Sequence, residues 1–97
     1  MFEILFTLKA KEILKELKND NNKQIIYQAV VKSLKQLNTN PKHNGLNSHE
    51  FYDFPFYEKI KIWESYAQNH TPGAYRIFWH YGPNRKEITI IDITPHP

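Results

Sequence analysis

The chain opens with a strand signature. Phe2, Ile4 and Phe6 alternate with Glu3 and Thr7, which predicts a first strand with one buried face. From Leu8 the period changes. Ala10, Ile13, Leu14 and Leu17 recur at i, i+3, i+4, i+7, so a helix is expected over 8–18 with Thr7 as its N-cap. The polar run Asn19–Asn22 ends it. Asn21 followed by Gln24 has capping-box spacing and predicts a second helix to about Leu37, with Ile26, Ala29, Val30, Ser33, Leu34 and Leu37 on one stripe. So short a connection makes the two helices an antiparallel hairpin, each with one apolar side to lay on a sheet.

Asn38–Asn47 reads as loop from its Pro41, Gly45 and four Asn. Four runs rich in β-branched and aromatic residues follow: His49–Phe54, Ile60–Asn69, Ala74–Gly82 and Lys86–Thr94. Pro55 separates the first two, which could also form one bent strand. NHTPG (69–73) and GPNR (82–85) are hairpin signals. The expected fold is therefore α+β: an N-terminal strand and an α-helical hairpin packed on an antiparallel sheet, in the order β-α-α-β-β-β.

Strand alternation then sorts the chemistry. Tyr75, Ile77, Trp79 and Tyr81 share one face, and Arg76, Phe78 and His80 share the other. A tight GPNR turn pairs Trp79 with Ile88 and Ile77 with Ile90, building the face that meets the helices. It also sets Arg76 near Ile91, so the tail from Thr94 to Pro97 must bend back to bring His96 to Arg76. If NHTPG closes the preceding hairpin, Tyr66 lies opposite Arg76 and Glu64 opposite Phe78. Arg76, Tyr66 and Glu64 then cluster on the helix-free face.

Composition narrows the classes. With 97 residues the chain is expected to form a single domain spanning 1–97, burying roughly 60–70% of its unfolded surface. It has no cysteine, which excludes disulfides and thiol catalysis and suits a reducing compartment. The apolar run Phe2–Leu8 is too short for a signal-peptide core or a membrane span, so a cytoplasmic address with no membrane partner is expected. Residues 1–39 hold seven Lys against four acids, whereas residues 40–97 balance six basic residues against six acidic ones. All five histidines and both arginines fall in that neutral part. The net charge of +3 is too small to argue nucleic-acid binding by itself.

An Arg fork, exposed aromatics and a histidine are nevertheless the parts for splitting RNA. The ribose 2′-hydroxyl attacks phosphorus as a base takes its proton, a cation holds the developing charge, and an acid protonates the leaving 5′-oxygen. The plainer reading is a solvated sheet face on which Glu64 simply pairs with Arg76. His43 and His49 could join Glu50 or Asp53 around a metal, but no second ligand pair has recognisable spacing, so neither metal nor cofactor is expected. The stretch EFYDFPFY (50–57) reads as core and strand edge.

The run AYRIFWHYG, a turn, then EITIIDITPHP, with a helical hairpin and PKHNGLNSH upstream, resembles the RelE/ParE superfamily of toxins from type II toxin–antitoxin systems. The resemblance covers nearly the whole chain in element order. It implies a metal-independent endoribonuclease that cuts mRNA in the ribosome and inhibits translation. Its partners would be a cognate antitoxin, the ribosome and mRNA, with a homodimer allowed. Arg76 matches the strand arginine that stabilises the scissile phosphate. His96 matches the acid–base histidine after the last strand, and Glu64 stands where some members place a carboxylate base. Lys42 and His43 match loosely the basic residues before the sheet; with Tyr66, His80 and Arg85 they are the candidate substrate-binding residues. The family pattern runs on to a C-terminal tyrosine, where this chain has Pro97. The resemblance leaves two alternatives: a non-enzymatic ParE-like gyrase inhibitor, and an inactive antitoxin-binding module.

Overall fold

The computed structural model describes residues 1–68 and 73–97. Its elements are β1 (Glu3–Phe6), α1 (Leu8–Asn19), α2 (Gln24–Thr39), β2 (His49–Phe51), β3 (Ile62–Tyr66), β4 (Tyr75–Tyr81) and β5 (Glu87–Pro95). Single 3-10 turns at Asn21–Lys23 and Asn44–Leu46 join them. Thr7 caps α1 as its position predicts, its hydroxyl accepting from Ala10 N at 3.2 Å. The second cap differs from expectation. Asp20, not Asn21, accepts from Asn22 N at 2.8 Å, and the Gln24 amide donates back to the Lys18 and Asp20 carbonyls. The connection is tight enough that Gln24 satisfies the carbonyls α1 leaves open rather than the N–H of its own cap.

The sheet order is β1-β5-β4-β3-β2. The expected antiparallel pairing holds from β2 to β5, and β1 adds a parallel edge against β5, making the sheet mixed. Both helices lie on one face. There Ala10, Leu17, Val30, Leu34 and Leu37 meet Ile77, Trp79, Ile88, Ile90 and Ile93 in the main core. His49–Phe51 and Ile62–Tyr66 form two paired strands rather than one bent one, with His49 opposite Glu64. Their connection, 52–61, folds over the other face, where Phe51, Phe54 and Tyr57 cover a smaller core of Ile62, Phe78 and Ile91. That face is helix-free but not fully solvated.

Two registers were predicted, and they fare differently. Tyr66 pairs with Arg76 and Glu64 with Phe78, as read. Of the NHTPG turn behind that prediction only Gly73 is described; Asn69, His70, Thr71 and Pro72 lie outside the described residues. The last hairpin is displaced. Gly82 N bonds Glu87 O, so 82–86 forms a wider loop than the predicted tight turn, and Trp79 pairs with Ile90 instead of Ile88. A bulge then leaves Ile91 between the pairs Trp79–Ile90 and Phe78–Asp92. Beyond it Ile77 meets Ile93, and Arg76 meets Thr94 instead of Ile91.

One polar chain crosses the main core and ties the loop before β2 to the sheet. Trp79 Nε1 donates to Ser65 Oγ (2.8 Å), the Ser65 and Ser48 hydroxyls lie 2.6 Å apart, and Ser48 donates to Pro41 O (2.8 Å). Each oxygen can accept one proton and donate another, so the series closes without an orphan. Ser65→Ala breaks it in the middle and strands the buried indole N–H. Urea unfolding should show a loss of about 1–3 kcal/mol.

Candidate functional site on the helix-free face

Four neighbouring strands each place a polar side chain at one end of this face. Arg76 on β4 lies opposite Tyr66 on β3 and Thr94 on β5, and Glu64 on β3 lies opposite His49 on β2. The centre of the group is Glu64, whose side chain is 4% exposed. Its Oε2 accepts from Arg76 Nη1 at 2.5 Å. Its Oε1 takes His49 Nε2 at 2.7 Å and the Tyr66 hydroxyl at 3.4 Å. Both oxygens of a carboxyl group so deep in the sheet thus have polar partners.

Arg76 is held as firmly. Its side chain is 14% exposed, and its guanidinium carbon lies 4.8 Å from the Phe78 ring centroid and 5.8 Å from that of Phe51. Its Nε is buried without a hydrogen-bond partner among the described residues. The guanidinium is thus paired at one corner and carries a donor still to be satisfied.

His49 was read from sequence only as a metal-ligand candidate, and the structure gives it a different setting. Its Nδ1 lies 2.9 Å from Asn47 O and its Nε2 faces Glu64, so both nitrogens meet acceptors. The two bonds form together only with a proton on each nitrogen. Its ring also lies 5.6 Å from that of Tyr66. Burial, followed by the Glu64 charge, pushes the Tyr66 phenol above the ordinary tyrosine range, with Arg76 opposing.

His96 reaches this face without the bend that the predicted register required. The β4–β5 ladder runs past Pro95: His96 N donates to Ala74 O and Gly73 N donates to His96 O, both at 2.8 Å. Gly73 has φ +83°, the left-handed conformation of the first residue in a glycine bulge. Alternation from Thr94 puts the His96 side chain on the Arg76 face, and diagonal positions in such a ladder are about 7–8 Å apart. The three-residue displacement of the last hairpin therefore favours the site.

The remaining candidates lie elsewhere. Lys42 sits on the helix side, its Nζ 3.5 Å from the Trp63 ring centroid, because Trp63 pairs with Trp79 on that face. His43 stays beside α2, its Nδ1 accepting from Gly45 N at 3.0 Å. His80 shares the Arg76 face but packs toward Tyr57, with 6.3 Å between ring centroids, four residues along β4. Arg85 lies in the loop at the opposite end of the hairpin from His96.

No protein-family model matches this sequence, and no curated protein is significantly similar to it. Solved structures do match. RelE in the RelE–RelB complex of Pyrococcus horikoshii superposes with a TM-score of 0.68 at 12% identity, covering 97% of this chain and 93% of that one. The YoeB/ParE toxin of Agrobacterium tumefaciens gives 0.74 at 7% identity over 99% and 100%. The YoeB dimer of Staphylococcus aureus gives 0.68 at 17% identity over 99% and 98%. The described residues have a RelE/YoeB-like fold.

Glu64→Ala leaves the Arg76 guanidinium buried without its anion, and equilibrium unfolding should register a loss of about 3–5 kcal/mol. Adding Arg76→Ala should cost less than the sum of the two single changes, since the second removes the stranded charge. Absorbance titration in alkali offers an independent check. Tyr66→Phe should remove a phenol that ionises later than free tyrosine. The sign follows from linkage: a raised folded-state pKa gives stability that is complete below the unfolded value near 10 and is lost as pH rises through the folded one.

Proposed function

We propose that the chain is the toxin of a type II toxin–antitoxin pair and that it cleaves mRNA on the ribosome at Arg76. The supporting observation is the state of that guanidinium: set against aromatic rings, held by Glu64 through Nη1, and still 14% exposed on the helix-free face. A non-bridging oxygen of the scissile phosphate would meet the part of the guanidinium that reaches the surface. As the 2′-oxygen attacks, charge grows on those oxygens and the fixed guanidinium stabilises it in place. His96, diagonal to Arg76 on the same face, takes the 2′-hydroxyl proton and returns it to the 5′-oxygen as the P–O5′ bond breaks, leaving a 2′,3′-cyclic phosphate and a 5′-hydroxyl. Glu64 is better cast as a positioning residue than as the base, since Arg76, His49 and Tyr66 already occupy both its oxygens. The reading uses no metal.

The fold supports the remaining expectations. The Pyrococcus protein is bound to RelB and the Staphylococcus protein is a dimer, so an antitoxin and a second copy are the partners proposed here, in the cytoplasm. No helix among the described residues is long and apolar enough to cross a membrane. The Agrobacterium neighbour's double name, YoeB/ParE, keeps gyrase as the alternative target.

A translation extract programmed with a defined mRNA and read by primer extension tests the proposal. Wild type should give discrete ribosome-dependent cuts. Arg76→Ala should lower the rate by about 10²–10³-fold, and His96→Ala by about 10²–10⁴-fold. Undiminished cutting by Arg76→Ala would remove the site. Intact mRNA together with blocked DNA supercoiling would assign the chain to gyrase instead.

A further inference from the structure

Beside Arg76 the strap 52–57 roofs a pocket of about 530 Å³. That falls within the roughly 300–1,000 Å³ of small-molecule sites. Phe54 and Phe78, with centroids 5.0 Å apart, belong to its walls, and Arg76 forms part of the same wall. The sequence stretch EFYDFPFY thus does more than cover a core: it builds a concave aromatic site next to a cation. We infer that this pocket binds the nucleobase adjoining the phosphate held by Arg76, and that Asp53 reads the base's amino edge. The inference rests on Arg76 as the phosphate group's partner in the proposed cleavage site.

Three features favour a nucleotide over an apolar side chain from a protein partner. First, the wall includes a guanidinium, a cation that the phosphate of a nucleotide matches and an apolar side chain does not. Second, the rim has polar groups of both signs. Asp92 is already engaged by Lys9 Nζ at 3.1 Å and Ile93 N at 2.9 Å, and Asp53 lies on the exposed strap. Third, Phe56 lines the pocket with its side chain almost wholly in water, 92% exposed, at φ +69°, a conformation bulky residues rarely adopt. Aromatic rings displayed beside a cation are what unpaired bases stack on.

The acceptor sets the preference. A carboxylate matches two adjacent N–H donors, as on the Watson–Crick edge of guanine, whereas uracil flanks its single N–H with two carbonyls. The site should therefore favour guanine and disfavour uracil.

Direct binding to the full chain tests this separately from cleavage. Guanosine 5′-monophosphate, uridine 5′-monophosphate and ribose 5-phosphate are titrated against the labelled protein by NMR. Guanosine monophosphate should move the Phe54, Phe56, Tyr57 and Ile91 signals and bind about tenfold more tightly than uridine monophosphate, with ribose 5-phosphate the weakest of the three. Asp53→Asn should abolish the preference for guanosine over uridine, and Phe56→Ala should weaken both nucleotides toward ribose phosphate. Both residues are exposed, so neither change should disturb the fold. Equal binding of all three ligands, or pocket signals that stay fixed as they would for a site reserved for a protein side chain, overturns the inference. Base-dependent binding with uncut mRNA keeps the pocket and removes the cleavage reading. Cut mRNA with base-independent binding does the reverse.

Discussion

A carboxylate can be buried in the middle of a sheet only if the residues around it supply its counter-charge, and Glu64 imposes that requirement on three strands at once. Arg76, His49 and Tyr66 come from β4, β2 and β3, and each contributes a donor. A register slip of one residue in either pairing would turn these side chains to the other face and leave the anion alone among Ile and Trp. The cluster thus acts as a lock on strand register. In the same act it fixes the plane and position of the guanidinium, which long flexible side chains rarely hold by themselves.

The sequence made much of this arrangement legible, and for definite reasons. Alternation in Tyr75–Tyr81 assigns the two faces correctly because a strand's period is two whatever its partner. The Tyr66–Arg76 pair was likewise predictable. The last hairpin was not: its loop takes in Lys86, at φ +64°, and Ile91 is an extra residue that no local pattern announces. The first of these shifts is even, which is why Ile88 and Ile90 stayed on the helix side despite the wrong partners.

His49 was missed for a different reason. Its pairing with Glu64 spans the long connection 52–61, whose aromatic content signals burial but sets no register. Lys42 and His43 were candidates through the resemblance alone, which assigns them no face. Ser48, bonded to Ser65, anchors their loop on the helix side before the chain turns at β2.

The same geometry separates stability from chemistry on this face. Two of the polar groups, Glu64 and Tyr66, are buried and mutually satisfied, so their energetic role is to hold the sheet. Arg76 is only half committed, and His96 makes its side-chain bond to the adjacent Pro97 carbonyl rather than to the cluster. A guanidinium set between a buried anion and a small exposed edge pays for its own desolvation through Glu64 before any ligand arrives. Preorganisation of this kind lets a phosphate meet a donor already in position, without first collecting a mobile side chain from solvent. The cost falls on field strength: Glu64 offsets much of the positive charge that a phosphate would otherwise feel. His49 shares that carboxylate, its Nε2 lying 2.7 Å from Oε1, so Arg76 is not the only partner of Glu64. The residue hardest to read from sequence and the most legible one thus meet on a single buried carboxylate.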